Sequence, residues 1–273
     1  MPAAALALAL AAAFVHAFWN LVLAGARDVQ AATAVALVCG SVAFAPVAAV
    51  FWEAESPVWP YLAVTSLLQL TYFVLLTAAY ERADLSFVYP IARGSAPVLV
   101  LVVGVAVLGV GASVAQVAGV LLVTGGVLLV RGIGGRATAA DLVLALAVAA
   151  CIASYTLVDK YGIRYASPVV YQELSMIPAT LGFLVMTLRR CGVSPVRGAV
   201  GLSSAAAGLA TFGAYVLVLA ALSRAPAASV AAVRETSVVI ATALAAPFLR
   251  ERVGAPRLAG AVLVVAGIAL LGA

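Results

Sequence analysis

The sequence predicts an all-α membrane protein of ten transmembrane helices, built as two inverted five-helix repeats. Three observations carry this: an extreme apolar composition, a regular succession of apolar windows, and a match of the chain to itself at a shift of 141 residues. Of 273 residues, 66% are hydrophobic and 9% charged, and the mean hydropathy is +1.21. Soluble domains are about half apolar and a quarter charged, so a water-soluble globule is excluded.

A helix needs about 20 apolar residues to cross a hydrocarbon core of about 30 Å. Such windows run over 3–24, 32–52, 59–80, 85–108, 113–130, 139–159, 168–188, 199–222, 227–249 and 255–272. The first, beginning MPAAALALALAAAFVHA, has the apolarity of a signal peptide. It lacks a basic start and runs on through Phe18, Trp19 and Asn20 to Leu23, so it is expected to be a span. The second and third flank the polar break around Glu53 and Glu55. The fourth carries an arginine, Arg93, about eight residues in, within YPIARGSAP. The fifth contains no charge or aromatic within the span, and the tenth none past Arg257 at its entrance, so they are expected at the periphery. The sixth ends in Asp159 and Lys160, read as a solvated helix terminus. The seventh carries Glu173 and the ninth Arg234 and Glu235.

The connections are too short for a soluble domain. Cys39, Cys151 and Cys191 have no paired or metal-type spacing and read as small apolar side chains. No metal, cofactor or nucleotide motif and no nucleophile constellation is visible, which argues against an enzyme. The net charge of +5 resides in loops, so it does not point to nucleic acid. Loops after odd-numbered spans hold ten of the basic residues and loops after even-numbered spans three. Alone, that bias puts both termini outside.

At the 141-residue shift, RGSAPVLVLVVGVAVLGVGASVAQVAGVLLVTGGVLL from Arg93 meets RETSVVIATALAAPFLRERVGAPRLAGAVLVVAGIAL from Arg234. Arg93 falls on Arg234, Gly119 on Gly260 and Gly126 on Gly267. The repeats are expected over 1–132 and 138–273. Five spans is an odd number, so the halves cross the membrane in opposite senses, the arrangement in which transporters bind solutes near the midplane. Eight residues of helix is about 12 Å. Entering from opposite faces, Arg93 and Arg234 therefore meet near the middle.

The segments FVYPIARGSAPVLVLVVGVAVLG and FLRERVGAPRLAGAVLVVAGIALLG resemble repeat motifs of EamA-type members of the drug/metabolite transporter superfamily. HAFWN at 16–20 and ASYTLVDKYGIR at 153–164 resemble the repeat openings of a subgroup that includes membrane proteins associated with phosphonate utilisation. The chain departs from the family at Val110, an acidic position there, and in LVLAGA, which lacks a common lysine, while Glu251 is retained. The resemblance implies ten helices, a central cavity, alternating access and cytoplasmic termini, the last opposite to the charge bias.

The expected solute-binding residues are Arg93, Tyr89, Arg234, Glu235, Trp19, Asn20, Tyr72, Tyr155, Glu173 and Tyr215. His16 and Glu173 are expected candidates for carrying a coupling proton. His16, Trp19 and Asn20 share a helical face, as do Tyr89 and Arg93 one turn apart. Pro97 lacks the N–H that would bond the Arg93 carbonyl. Arg234 and Glu235, adjacent on a helix, point about 100° apart and are not expected to neutralise each other fully. Each polar group also has a structural reading, as a partner for neighbouring helices or an interfacial anchor.

The function expected is secondary transport of a small anionic or zwitterionic metabolite, since guanidinium forks suit carboxylate, phosphate or phosphonate. The alternatives are a lipid-carrier translocase on the same fold and an exporter of cationic or apolar drugs. The expected partners are the solute and the bilayer, with the chain a monomer or homodimer and no cofactor or metal.

Overall fold

The computed structural model describes residues 1–24, 26–82, 85–131, 138–240 and 255–272, with the side chains of 20–24, 80–87, 89–90 and 131 left aside. The helices are α1 (Ala3–Ala24), α2 (Val29–Val50), α3 (Trp59–Arg82, preceded by a 3₁₀ turn at Ser56–Val58), α4 (Leu85–Ala106), α5 (Val114–Arg131), α6 (Ala139–Gly162), α7 (Pro168–Cys191), the short α8 (Val193–Gly198), α9 (Leu202–Leu222), α10 (Ala227–Arg234) and α11 (Ala255–Gly272). Every predicted span corresponds to one of the long helices or to α10.

Local chemistry fixes several ends. The Asp28 carboxylate accepts the Ala31 N–H at 2.9 Å and starts α2. Thr138 and Asp141 form a reciprocal capping box on α6. Gly192, at φ +80°, stops α7 with its N–H on the Leu188 carbonyl. The ninth span departs from prediction. Its helix α10 ends at Arg234, Glu235 and Thr236 form a turn, and helix resumes at 237. Its predicted remainder to 249, Glu251 with it, lies outside the described residues.

The packing is reciprocal between halves. Helix α1 packs on α9 as α6 packs on α3, α2 on α9 as α7 on α3, and α10 on α1 as α4 on α6. Each repeat's third helix is thus exchanged into the other's bundle, giving one bundle around α1, α2 and α9 and another around α3, α6 and α7.

Helices α5 and α11 meet along a seam of glycines. A Cβ on Gly126 would lie 2.5 Å from the Gly260 carbonyl oxygen, and one on Gly260 2.6 Å from that of Gly126. Gly119 and Gly267 oppose each other likewise, at 3.0 and 2.8 Å. Small residues let backbones approach closely in lipid, where dispersion rather than water exclusion drives association. The 141-residue shift carries Gly119 onto Gly260 and Gly126 onto Gly267, so the two contacts exchange under the repeat operation. The face bearing the start of α1 and the end of α11, called the terminal face below, is where the Met1 amine donates to the Leu271 carbonyl at 2.6 Å.

Candidate functional site

A cavity with about 780 Å³ of space between atoms, part of it open to the outside, lies between the two bundles. Its wall takes residues from α1 (His16, Trp19), α3 (Gln69, Tyr72, Phe73), α4 (Arg93), α6 (Tyr155), α9 (Tyr215) and α10 (Arg234), with α2 and α7 completing it. Neither α5 nor α11 contributes a described lining residue, in keeping with the peripheral places expected for them.

The arginines do converge. Arg93 is 6% and Arg234 3% exposed, and both line the cavity. They share one carboxylate oxygen. Arg93 Nη1 lies 3.4 Å from Glu235 Oε1, and Arg234 reaches the same oxygen with Nη2 at 3.2 Å and Nε at 3.4 Å. The expectation that Arg234 and Glu235 diverge is therefore corrected: the turn at Glu235 and Thr236 lets the side chain fold back. Glu235 is 1% exposed and is not on the cavity wall. Its Oε2 meets no donor among the described residues. A buried carboxylate bridging two guanidiniums offsets the cost of desolvating all three groups.

Arg93 Nη2 also contacts His16 Nε2 at 2.6 Å, while Trp19 Nε1 donates to His16 Nδ1 at 3.1 Å. Guanidinium and indole nitrogens only donate, and a neutral imidazole has one acceptor nitrogen. His16 cannot accept from both. Gln69 Nε2, buried and on the wall, meets no acceptor among the described residues.

Aromatic rings complete the wall. Tyr155 meets Tyr72 and Tyr215 in edge contacts, each with ring centroids 6.1 Å apart. Glu173 is placed differently from the expectation. It is buried, but the neighbouring Gln172 lines the cavity in its stead, since adjacent positions on α7 point about 100° apart. The side chains of Asn20 and Tyr89 lie outside the described residues.

Asp159 is the residue that sequence reasoning placed wrongly. Far from a solvated helix end, it is 0% exposed. Its Oδ1 accepts from Thr65 Oγ1 at 2.6 Å and the Tyr171 hydroxyl at 2.9 Å, and its Oδ2 accepts from the Tyr215 hydroxyl. The adjacent Lys160 is half-buried and caps α9, donating to the Leu222 and Ala225 carbonyls at 2.5 and 3.0 Å. Tyr171 serves Asp159 rather than the cavity wall. The available signal was the intramembrane carboxylate itself.

The EamA-like transporter family matches residues 3–132 and 140–273, nearly the whole chain. The chain belongs to the EamA-like transporter family. It is accordingly a multi-pass integral membrane protein of a transporter family, not an enzyme. One solved crystal structure is 20% identical, covers 99% of this chain and 98% of its own, and superposes with a TM-score of 0.76. At that identity the likeness speaks to the fold alone. No curated protein matches the chain.

Proposed function

We propose that this EamA-like transporter carries a small anionic or zwitterionic metabolite through the central cavity by alternating access. One observation supports the reading most directly. The wall holds two guanidiniums, Arg93 and Arg234, and no carboxylate among its described residues. A carboxylate, phosphate or phosphonate would take bidentate bonds from them. It would also accept from Gln69 Nε2, which meets no acceptor among the described residues. An amine on the same solute would rest against the Tyr72, Tyr155 and Tyr215 rings as a cation–π contact, since Glu235 is engaged by the arginines and Glu173 lies off the wall. The resemblance of the repeat openings to the phosphonate-associated subgroup puts phosphonates first in a screen. The working unit is one chain, alone or as a homodimer, with repeats over 1–132 and 138–273.

A thermal-shift panel on the purified chain tests this, because a ligand stabilises the folded state by mass action. The panel contains inorganic phosphate, small phosphonates, carboxylates, amino acids, and cationic and apolar drugs. Hits then go to uptake in proteoliposomes. Stabilisation by anions or zwitterions, followed by uptake, is the expected result. Stabilisation by cationic or apolar compounds alone, or lipid scrambling without uptake, overturns it.

A further inference from the structure

A second buried carboxylate, apart from the one that holds the arginines, is bonded by a residue of the cavity wall. Asp159 sits three residues before the end of α6, between the cavity and the terminal face. Its donors come from α3 (Thr65), α7 (Tyr171) and α9 (Tyr215). Thr65 and Tyr171 belong to the same bundle as Asp159. Tyr215 belongs to the other bundle and lines the cavity. The Tyr215–Asp159 bond therefore crosses the plane along which the two bundles must part for the cavity to open to this face.

Further contacts hold the connections above it together on this face. The Glu55 N–H donates to the Tyr165 carbonyl at 2.8 Å and the Ser167 N–H to the Glu53 carbonyl at 3.0 Å, so the α2–α3 and α6–α7 connections are joined by backbone bonds. The Tyr61 and Tyr165 rings stack with centroids 5.9 Å apart. Lys160 ties α6 to the end of α9 beside them. At the other face the described cross-bundle bonds are neutral ones, Gln30 Nε2 to Thr187 Oγ1 at 3.3 Å and Cys191 Sγ to Gln30 Oε1 at 3.7 Å. The charge-assisted ties lie on the terminal side.

We propose that Asp159 is a proton site of this transporter and the latch of its terminal face, coupling proton binding to opening there through Tyr215. With the proton off, the carboxylate accepts all three hydroxyls, and bonds to an ionised acceptor are about twice as strong as neutral ones. A proton arriving from water on Asp159 Oδ2 turns that oxygen from acceptor to donor. The Tyr215 hydroxyl then reverses or leaves, and the tie between bundles weakens. The reverse holds by linkage: opening this face favours proton uptake by the same factor. The other titratable groups facing the site are Tyr171 of α7, Tyr155 of α6 behind the Tyr215 ring, Arg234 of α10 on the cavity wall, and Lys160, which is turned onto α9.

The proposal rests on the transport reading above, yet its test needs no solute, so either can fail without the other. The full chain, with Cys39, Cys151 and Cys191 replaced by Ala, is placed in nanodiscs. Spin labels go on Ser56→Cys and Ser223→Cys, exposed positions at the start of α3 and the end of α9. Inter-label distances are measured by electron–electron double resonance from about pH 8 to about pH 5. A longer-distance population is expected to grow as pH falls. In Asp159→Asn, which keeps the shape but cannot titrate, the populations are expected to be independent of pH. Thr65→Val removes one donor and leaves both the carboxyl and its tie to Tyr215, and is expected to move the midpoint of opening up by about one pH unit, whereas Tyr215→Phe removes the tie itself and is expected to leave the populations independent of pH. A parent protein with no pH response, or an Asp159→Asn response equal to the parent's, overturns the proposal. Should Asp159→Asn fail to fold, a parent-like pH response in Tyr215→Phe or an unmoved midpoint in Thr65→Val overturns it equally.

Discussion

Two of the places where the repeats meet differ in symmetry: the glycine seam keeps it and the arginine pair does not. Along the α5–α11 seam, the Gly126–Gly260 contact, with would-be Cβ distances of 2.5 and 2.6 Å, maps under the repeat onto the Gly267–Gly119 contact, at 2.8 and 3.0 Å, so both halves bring a glycine against a glycine carbonyl. At the arginine pair the repeat operation holds for Arg93 and Arg234 and then breaks. Gly94 stands where the other half has Glu235, and His16 contacts Arg93. Helix α4 continues past its arginine while α10 stops at its own. Packing asks only for matched shape, so symmetry is kept where packing is the whole task. A cavity that must hold a particular solute needs charge and donors arranged for that solute, and there the halves have diverged.

The largest expected effect comes from the asymmetric partner. Glu235→Gln leaves two buried guanidiniums without their shared carboxylate and is expected to lower stability by about 3–5 kcal/mol. Melting of the purified protein measures it. Inorganic phosphate is expected to restore part of the loss in this variant and little in the parent; equal shifts in both would detach the arginines from anion binding.

Next comes Arg93→Gln, expected to weaken binding of a screened anionic ligand by about 2–5 kcal/mol, because the remaining partners stay desolvated. Affinity and melting temperature are read together. A folded Arg93→Gln protein with unchanged affinity reduces the arginine to scaffold.

The seam predicts equality. Gly126→Ala and the change at its repeat mate, Gly267→Ala, each push a methyl group against a backbone carbonyl that has no rotamer to yield, costing about 1–3 kcal/mol. Their effects on melting are expected to agree within about 0.5 kcal/mol. A clear inequality would show that the seam, too, has lost its symmetry.

The smallest effect is the conservative exchange. Arg93→Lys keeps the charge and loses the planar fork, so it is expected to recover roughly half of the affinity lost in Arg93→Gln. Full recovery would mean that charge alone is read.

Much of the fold was legible because lipid imposes simple rules. Span length follows from bilayer thickness, and the spacing from Arg93 to Gly119 and Gly126 survives in the second half as Arg234, Gly260 and Gly267. The depth of the arginines followed from counting. What the sequence concealed depends on contacts between distant helices. Asp159 reads as a wet helix end because it is three residues from one; the hydroxyls that enclose it come from Thr65, Tyr171 and Tyr215, the farthest 94 residues away. Glu173 and Gln172 are neighbours on a helix buried on several sides, and no polar periodicity says which of them meets the cavity. The fold-back of Glu235 onto Arg234 required a helix break that no glycine or proline announces.

Glu235 also bears on how a bound solute departs. One of its oxygens is shared by both arginines and the other meets no donor among the described residues, so the site carries an internal stand-in for the acid group of the proposed solute. On that proposal, an arriving anion exchanges one ion pair for another, and its net affinity is the difference between the two. When it leaves, the guanidiniums fall back onto a carboxylate already in place, and the barrier to exit is correspondingly lower than for a charge pulled out of an empty pocket. A carrier is limited by release as much as by capture, and a resident competitor is one way to keep the two in proportion.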